Sequence, residues 1–584
     1  MHTPLWLVLP TVLLVVVLLL APLAVMFSPE ALLEGVRLAI EQPGSLAPVT
    51  SRPAVELVKL GDRSIIVLRG PSLGVIPNSL TLALVVSLVS TLLGFLAALA
   101  ALLYRVLSRV ATVLVLVSLL PYPFVEAYVV RRLLDPDHGL VNLVLRPLGL
   151  GLAVQGLAGV ALYQVTVFTP VAFVVLYGYV SGLSREAVEA ALQLGARGLQ
   201  LARLVARLSG PALAASAALT AVLSLDDVAG PLVFQMDPGA RSLLAYRAYS
   251  YFMESVTGTV SPTALGYSVI LLTASLAIFL AGYPFIARTY RGLQSGGRYE
   301  GLLPRLDRHA LGALTVLVVA LGLPALVKLL AILYGISGSW VASPLPSPGL
   351  DSLRMLAGMP DVARGIANSL LYTSIALAAS MALVLPAAHV LARRTGHLAV
   401  LADALIDMPV AVPGIVMAYA YYIVFHSLFA DTPLDPITSP WIYLVAGYTV
   451  RRIPLLYKAA QAVVASIPVE LEEAAAALGA GAGQIERAVI APLAIQRLYP
   501  AIVFTGLSIA TEVSLSITIG GLAGSSGFTH SAPLMYLVAG YMSYGGLVYA
   551  GVLALATTVL HAGVVALAVL EAKLALIVLR KSYR

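Results

Sequence analysis

The 584-residue chain has no cysteine and few charges: Asp, Glu, Lys and Arg make up 11% of it. Without cysteine there is no disulfide framework, thiolate zinc site or iron–sulfur cluster. The shortage of charge excludes more. A soluble domain carries roughly 25% charged residues and 45–50% apolar ones. Here the apolar share is 60%, and no segment could supply the polar surface that three or four soluble domains of this total length require. The sequence therefore reads as an integral membrane protein. The net charge of +7 comes from 35 Lys and Arg against 28 Asp and Glu. In such a chain it reflects basic cytoplasmic loops rather than nucleic-acid binding.

What is present is a series of long apolar runs, most of them charge-free. The first, Leu5 to Phe27, is long enough to span a bilayer and lacks the basic start and short apolar core of a cleaved signal. Further runs lie at 72–104, 110–130, 147–184, 208–225 and 255–287, then at 310–327, 365–392, 408–430, 441–464, 498–511 and within 513–570. Twelve spans are predicted. With the N-terminus inside, the short inner segments hold 18 Lys and Arg, and the much longer outer segments hold 12. Both termini are thus expected in the cytoplasm. The largest outer excursion, Ser28–Val75, has room for a small subdomain only.

The sequence repeats itself. Asn78-Ser79-Leu80 recurs as Asn368-Ser369-Leu370, Pro121 and Pro123 as Pro409 and Pro413, and Asp227 as Glu512. Glu189-Ala190-Ala191, with Gly195 four residues on, recurs as Glu473-Ala474-Ala475 with Gly479. The fold expected is all-α and polytopic, with two parallel six-span halves, 1–300 and 301–584. They join through the basic, Gly-rich stretch Arg288–Arg308.

The Glu-Ala-Ala segments, at 182–208 and 465–492, lie between spans on the inner face. Ser184 in one, and Ser466-Ile467-Pro468 in the other, start a helix. Acidic residues follow where the helix dipole favours them: Glu186 and Glu189, then Glu470, Glu472 and Glu473. Alanines keep the helix thin, so that another surface can approach. Glycines break it at Gly195 and Gly198, and at Gly479, Gly481 and Gly483. Each loop therefore predicts two short helices with a bend between them. One such loop could be an amphipathic connector. Two at equivalent places argue for a shared task.

These residues closely resemble the cytoplasmic signature loop of permease subunits of binding-protein-dependent ABC importers. That pattern is Glu-Ala-Ala, three residues, Gly, and a proline thirteen positions later. Glu473, Ala474, Ala475, Gly479 and Pro492 match it throughout. Glu189, Ala190, Ala191 and Gly195 match, but Leu208 stands where the proline would be, and the nearest proline is Pro211. A narrower similarity is to permeases of iron(III), thiamine and aminoethylphosphonate importers, which fuse both halves in one chain. Asp227-Val228-Ala229-Gly230-Pro231 keeps their Asp-to-Pro spacing, and Glu512 keeps the acid. The resemblance implies a type I permease fold in a cell membrane. It implies two copies of a separate ATPase docked on the two loops, an extracytoplasmic substrate-binding protein, and a solute such as iron(III), thiamine or a phosphonate. It implies no catalytic residue, metal site or cofactor in this chain, with ATP bound by the partners. The chain agrees in having no Gly-x-x-x-x-Gly-Lys-Ser/Thr loop.

Charges inside spans are functional candidates by default. Asp226, Asp227 and Glu512, expected near the outer ends of the fifth and eleventh spans, form either an acidic gate for a cationic solute or interfacial acids that bond a backbone end. Glu126 is expected to pair with Arg131 and Arg132, and Lys458 to snorkel inward. Lys328, His389, His426 and His561 read as isolated. An ion-coupled secondary transporter of two six-span repeats is the main alternative, but the loop Tyr104–Val110 lacks the acidic signature of the major facilitators. A polytopic membrane glycosyltransferase would need acidic or His pairs in outer loops, where only Asp135, Asp137 and His138 cluster.

Overall fold

The computed structural model describes residues 5–60, 63–196, 198–255, 261–295, 301–302, 309–338, 340, 343–394, 396–522 and 530–581. Apolar side chains drive these segments into the bilayer, where each backbone N–H and C=O must find a partner within its own segment. Helix is the result. Eight stretches among the described residues are long and apolar enough to cross a membrane: Leu9–Phe27 (α1), Val75–Leu103, Gly156–Val180, Pro262–Thr289, Ala310–Gly335, Pro360–Arg393, Ala482–Gly520 and Val548–Leu579. Two sharply bent pairs pass the same length and composition test only when taken together: Gly198–Leu208 with Gly210–Asp226, at 79°, and His397–Ala411 with Gly414–Phe429, at 98°.

The other two expected spans are helical for most of their length but less regular or less apolar. The third is broken into Arg105–Ser118 and Val125–Leu133, because Pro121 and Pro123 cannot continue a helix. The tenth, Pro440–Ala465, is 26 residues long but carries Arg451, Arg452 and Lys458. The expected linker falls partly outside the described residues: the sixth span's helix runs to Ser295, and 296–300 and 303–308 are not described. Residues 523–529, within the last apolar run 513–570, which is rich in Gly and Ser over Gly520–Gly527, are likewise outside the described set.

The outer excursion departs from all-α. Ser28 caps helix Pro29–Glu41 (α2), its hydroxyl accepting from the Ala31 N–H at 3.2 Å. Strand Val55–Leu60 (β1) then pairs antiparallel with Arg63–Leu68 (β2), and β2 pairs parallel with Leu150–Val154 (β3). This three-stranded sheet gathers two of the loops expected on the outer face into one small platform.

The repeat is visible in hydrogen bonds. The Ser79 hydroxyl accepts from the Leu244 N–H, and the Ser369 hydroxyl from the Leu534 N–H, both at 2.8 Å. The Asn78 amide donates to the Ser242 carbonyl at 3.4 Å, and that of Asn368 to the Ala532 carbonyl at 3.1 Å. Both Asn-Ser pairs thereby hold the start of another helix, Leu244–Ser255 and Leu534–Lys581. An N-terminus leaves N–H groups unpaired that lipid cannot satisfy, which explains a polar pair at this place.

The two sets of spans exchange their first helices. On α1, the Thr11 hydroxyl donates to the Leu383 carbonyl at 2.8 Å, and the Leu18 carbonyl accepts from the Tyr421 hydroxyl at 2.6 Å. Conversely, Ala310–Gly335 lies on first-set helices: its Leu321 carbonyl accepts from the Ser118 hydroxyl at 3.0 Å, and its Lys328 forms a buried ion pair with Glu126.

Candidate functional site

The two Glu-Ala-Ala loops have the same backbone design. In the first, helix Arg185–Gln193 (α3) starts at Ser184, whose hydroxyl accepts from the Ala187 N–H at 3.2 Å. The Glu186 backbone N–H, with the Ser184 hydroxyl, holds the exposed Glu186 carboxyl below its ordinary value. The helix ends where the Ala196 N–H reaches back to the Ala191 carbonyl at 2.9 Å and Gly195 adopts φ +86°. In the second, helix Val469–Ala477 (α4) ends with the Ala480 N–H on the Ala475 carbonyl at 3.1 Å and Gly479 at φ +88°. This C-terminal turn requires a left-handed residue, which glycine adopts without strain. A Cβ at either glycine would meet nothing within 4 Å, so backbone conformation alone demands glycine. Gly198 is also left-handed, at φ +50°. Gly481 lies in the break, with extended backbone (φ −74°, ψ 163°) just ahead of the resumed helix Ala482–Ile485, whereas Gly483, also expected to break the loop, sits inside that helix.

The motif residues face outward. Glu473, Ala474, Ala190 and both glycines are exposed, while Glu189, Ala191 and Ala475 are partly covered. Glu189 also accepts from the Arg185 guanidinium at 2.7 Å. Just before each glycine stands a leucine that the motif did not predict: Leu194 is 89% exposed and Leu478 is 90% exposed. Isolated exposed leucines are common. Here a matched pair stands at the tips of two matched loops.

Each loop leads into its next span differently. After Gly195, helix Gly198–Leu208 (α5) meets the span Gly210–Asp226 at the 79° bend. After Gly479, Ala482–Ile485 passes through a π turn, Glu486–Ile490, into helix Ala491–Ala510, with Pro492 in its first turn. That whole stretch, Ala482–Gly520, forms a single span. A proline is tolerated in a first turn. Pro211 holds the same first-turn place in Gly210–Asp226, so the proline does not account for the bend.

The intramembrane acids are all engaged. The Arg451 guanidinium bridges Asp226 at 2.5 Å and Glu512 at 2.7 Å. Asp226 also accepts from the Gly414 N–H at 2.7 Å, and Glu512 from the Leu515 N–H at 2.8 Å. Asp227 accepts from the Gln164 amide at 2.9 Å and the Ala229 N–H at 3.1 Å. Asp227 and Glu512 therefore cap the starts of matched short helices, Ala229–Val233 and Ser514–Leu522. Arg451 lies eleven residues into Pro440–Ala465, about 16 Å at 1.5 Å per residue. Asp226 is the last residue of Gly210–Asp226, and Glu512 follows the end of Ala491–Ala510 by two residues, so both acids stand at helix ends. The breaks at 408–413 and 511–513 meet beside the Asp226 end of the bent pair's second helix.

Other intramembrane charges correct the sequence expectations. Glu126 pairs with Lys328, not with Arg131 or Arg132; Arg132 pairs with Asp135 at 3.3 Å. Lys458 does not snorkel: it bonds Asp403 at 3.0 Å and Asp407 at 2.7 Å. His389 lies between Glu486 at 2.5 Å and Glu472 at 3.1 Å, His426 meets Asp435 at 3.0 Å, and the His561 ring packs edge-on against Tyr122. In lipid an unpaired charge is costly, so partners distant in sequence are found. Among the described residues no group of three or more His, Asp or Glu could hold a metal ion.

Residues 381–572 match the family described as binding-protein-dependent transport system inner membrane component. A protein of Haemophilus influenzae assigned to a ferric transport system as its permease is 27% identical, over 62% of this chain and 56% of its own length. A ferric transport system permease protein of Actinobacillus pleuropneumoniae is 26% identical, over 62% and 51%. A protein of Sinorhizobium fredii assigned as an ABC transporter permease is 23% identical, over 58% and 59%. The chain spans little more than half the length of these relatives. Its region 381–572 matches that inner-membrane component family, and the chain is a multi-pass membrane protein similar to ferric transport system permease proteins.

Proposed function

We propose that the chain forms the solute pathway of an importer in the cell membrane, with both termini cytoplasmic. Residues 1–300 and 301–584 are its two halves. Two copies of a separate ABC ATPase dock on the loops at 182–208 and 465–492, and an extracytoplasmic binding protein delivers the solute. The observation that carries this reading is the duplicated loop tip: helix, left-handed glycine, outward Glu-Ala-Ala face and exposed leucine, once in each repeat. A leucine entering a partner's groove contributes about 1.5–3 kcal/mol.

In this reading ATP is bound by the partners and this chain holds no cofactor. The path runs between the halves, where discontinuous helices meet, as in other repeat transporters. Arg451 joins Asp226 of the first half to Glu512 of the second. Rocking of the halves must stretch or exchange that bridge, which makes Asp226, Asp227 and Glu512 the gate candidates. The names of two relatives favour iron(III) as the solute over thiamine or a phosphonate.

The test is reconstitution in proteoliposomes with a candidate ABC ATPase and substrate-binding protein from the same organism. ATP-dependent uptake of labelled ferric iron is expected, with no hydrolysis by this chain alone. Uptake driven by an ion gradient without ATP would overturn the proposal.

A further inference from the structure

The two loops are seated on their membrane helices by opposite chemistry. In the second, Glu472 is the buried member of the exposed acidic face of α4. Its carboxylate accepts from the Arg393 guanidinium at 2.9 Å and meets the His389 ring at 3.1 Å. The other nitrogen of that ring meets Glu486, on the π turn beyond Gly479, at 2.5 Å. Arg393 also donates to the carbonyl of Ile467, just ahead of α4, at 2.6 Å. One histidine and one arginine at the cytoplasmic end of Pro360–Arg393 thus hold both arms of the second loop.

The repeat shows what stands in the first loop. The loop offset of 284 puts Val188 opposite Glu472 and Ala202 opposite Glu486; the span offset of 290 puts Leu99 opposite His389 and Leu103 opposite Arg393. All four are apolar. Val188 is buried in an apolar cluster with Leu99. Leu99, Leu103 and Ala202 line an apolar cavity of about 280 Å³. Four directional, charge-assisted contacts are replaced by non-directional packing around a void. Directional bonds fix position; apolar contacts next to a cavity permit sliding. The 79° bend adds a second joint to the first loop, while the second continues straight into its span.

We propose that His389, Arg393, Glu472 and Glu486 are positioning residues that gear the second loop rigidly to the membrane helices, while the first loop is a compliant seat. Motion of an ATPase docked on the second loop passes directly to Pro360–Arg393 and Ala482–Gly520. Motion of the one docked on the first is partly absorbed at the cavity and the bend. The two ATPase contacts are therefore unequal in the force they transmit. The transport consequence rests on the permease reading; the difference in rigidity does not.

The test begins with amide hydrogen exchange on the full chain in lipid nanodiscs, without partners. The amides of α4 should exchange about tenfold or more slowly than those of α3. The triple variant His389→Leu, Glu472→Val, Glu486→Ala, which installs the first-half residues, should bring α4 up to the α3 rate. With the ATPase and binding protein restored, it should hydrolyse more ATP per solute moved while retaining the ATPase. Arg393→Lys, which keeps the cation, should lie between the two. Equal exchange of α3 and α4 in the wild type would overturn the proposal even if the triple variant fails to fold. So would an unchanged coupling ratio in a folded triple variant. Slow exchange of α4 in a chain that supports no ATP-driven uptake would keep the clamp and remove the permease reading.

Discussion

The two Glu-Ala-Ala loops share a backbone and differ in what lies beneath it. Both end a short helix at a left-handed glycine, and both expose a leucine at the tip. Beneath the second lie a histidine, an arginine and two glutamates; beneath the first lie two leucines, a valine and an alanine around a cavity. Features a partner would touch are duplicated, while features that face the chain's own helices have diverged. The lesson is that a repeat preserves its outward contacts and leaves its internal support free to vary.

The largest effect expected from breaking this comparison is at the support. Glu472→Ala leaves His389 with Glu486 alone and Arg393 with only the Ile467 carbonyl, and losing one partner of a buried pair costs up to about 3–5 kcal/mol. The matching Val188→Ala removes about two methylene equivalents, about 1.6 kcal/mol. Thermal unfolding in detergent should rank the two in that order. Equal shifts would mean that the ionic cluster adds no rigidity.

The next effect should be equal in the two loops. Gly195→Ala and Gly479→Ala each force a side chain into the left-handed region, at about 1–2 kcal/mol. With open space around both Cβ positions, no clash adds to either. The melting shifts should agree within error, and a marked difference would show that the two turns are not equivalent.

Much of this was legible in the sequence, for identifiable reasons. Span positions follow from apolar runs, because lipid leaves a chain little choice beyond helix. The loop tips were legible because a left-handed turn needs glycine at one position, which the repeat shows twice. Ion-pair partners were not legible. Glu126 and Lys328 are 202 residues apart, and His389 and Glu486 are 97 apart; no local spacing signals either pair. The one clue for Arg451 was its place, with Arg452 and Lys458, inside a mostly apolar helix. The buried role of Glu472 could have been read from helical phase, since it turns inward while Glu470 and Glu473 face out. The three-stranded outer sheet was missed because β3 comes from another loop, 82 residues beyond β2.

Two smaller effects sharpen the contrast at the entry to each span. Gly210, at the 79° bend, has an ordinary φ and open space around a Cβ. Gly210→Ala should change stability by less than about 1 kcal/mol. Lost uptake with an unchanged melting temperature would show that the bend must flex during transport. The last effect concerns Glu186. Its carboxyl is held below its ordinary value, so its stabilisation of the α3 start is present above the ordinary glutamate range. It is lost as pH falls through the lowered folded value. Exchange at the first turn of α3 should quicken in that acid window, and Glu186→Gln should abolish the change; an unaltered acid response in the variant would assign it to another group.

The central claim is that both loop tips hold an ATPase, and one measurement tests it most directly. The single variants Glu189→Lys, Gly195→Val, Leu194→Asp, Glu473→Lys, Gly479→Val and Leu478→Asp are each purified through a tag on this chain, and the co-purifying ATPase is quantified. All six positions carry exposed or half-exposed residues outside the spans, so insertion should survive. The account predicts reduced ATPase retention in all six, with roughly tenfold weaker binding for the leucine changes, equivalent to about 1.4 kcal/mol. Full retention of the ATPase in all six variants would reduce these loops to connectors and contradict the account.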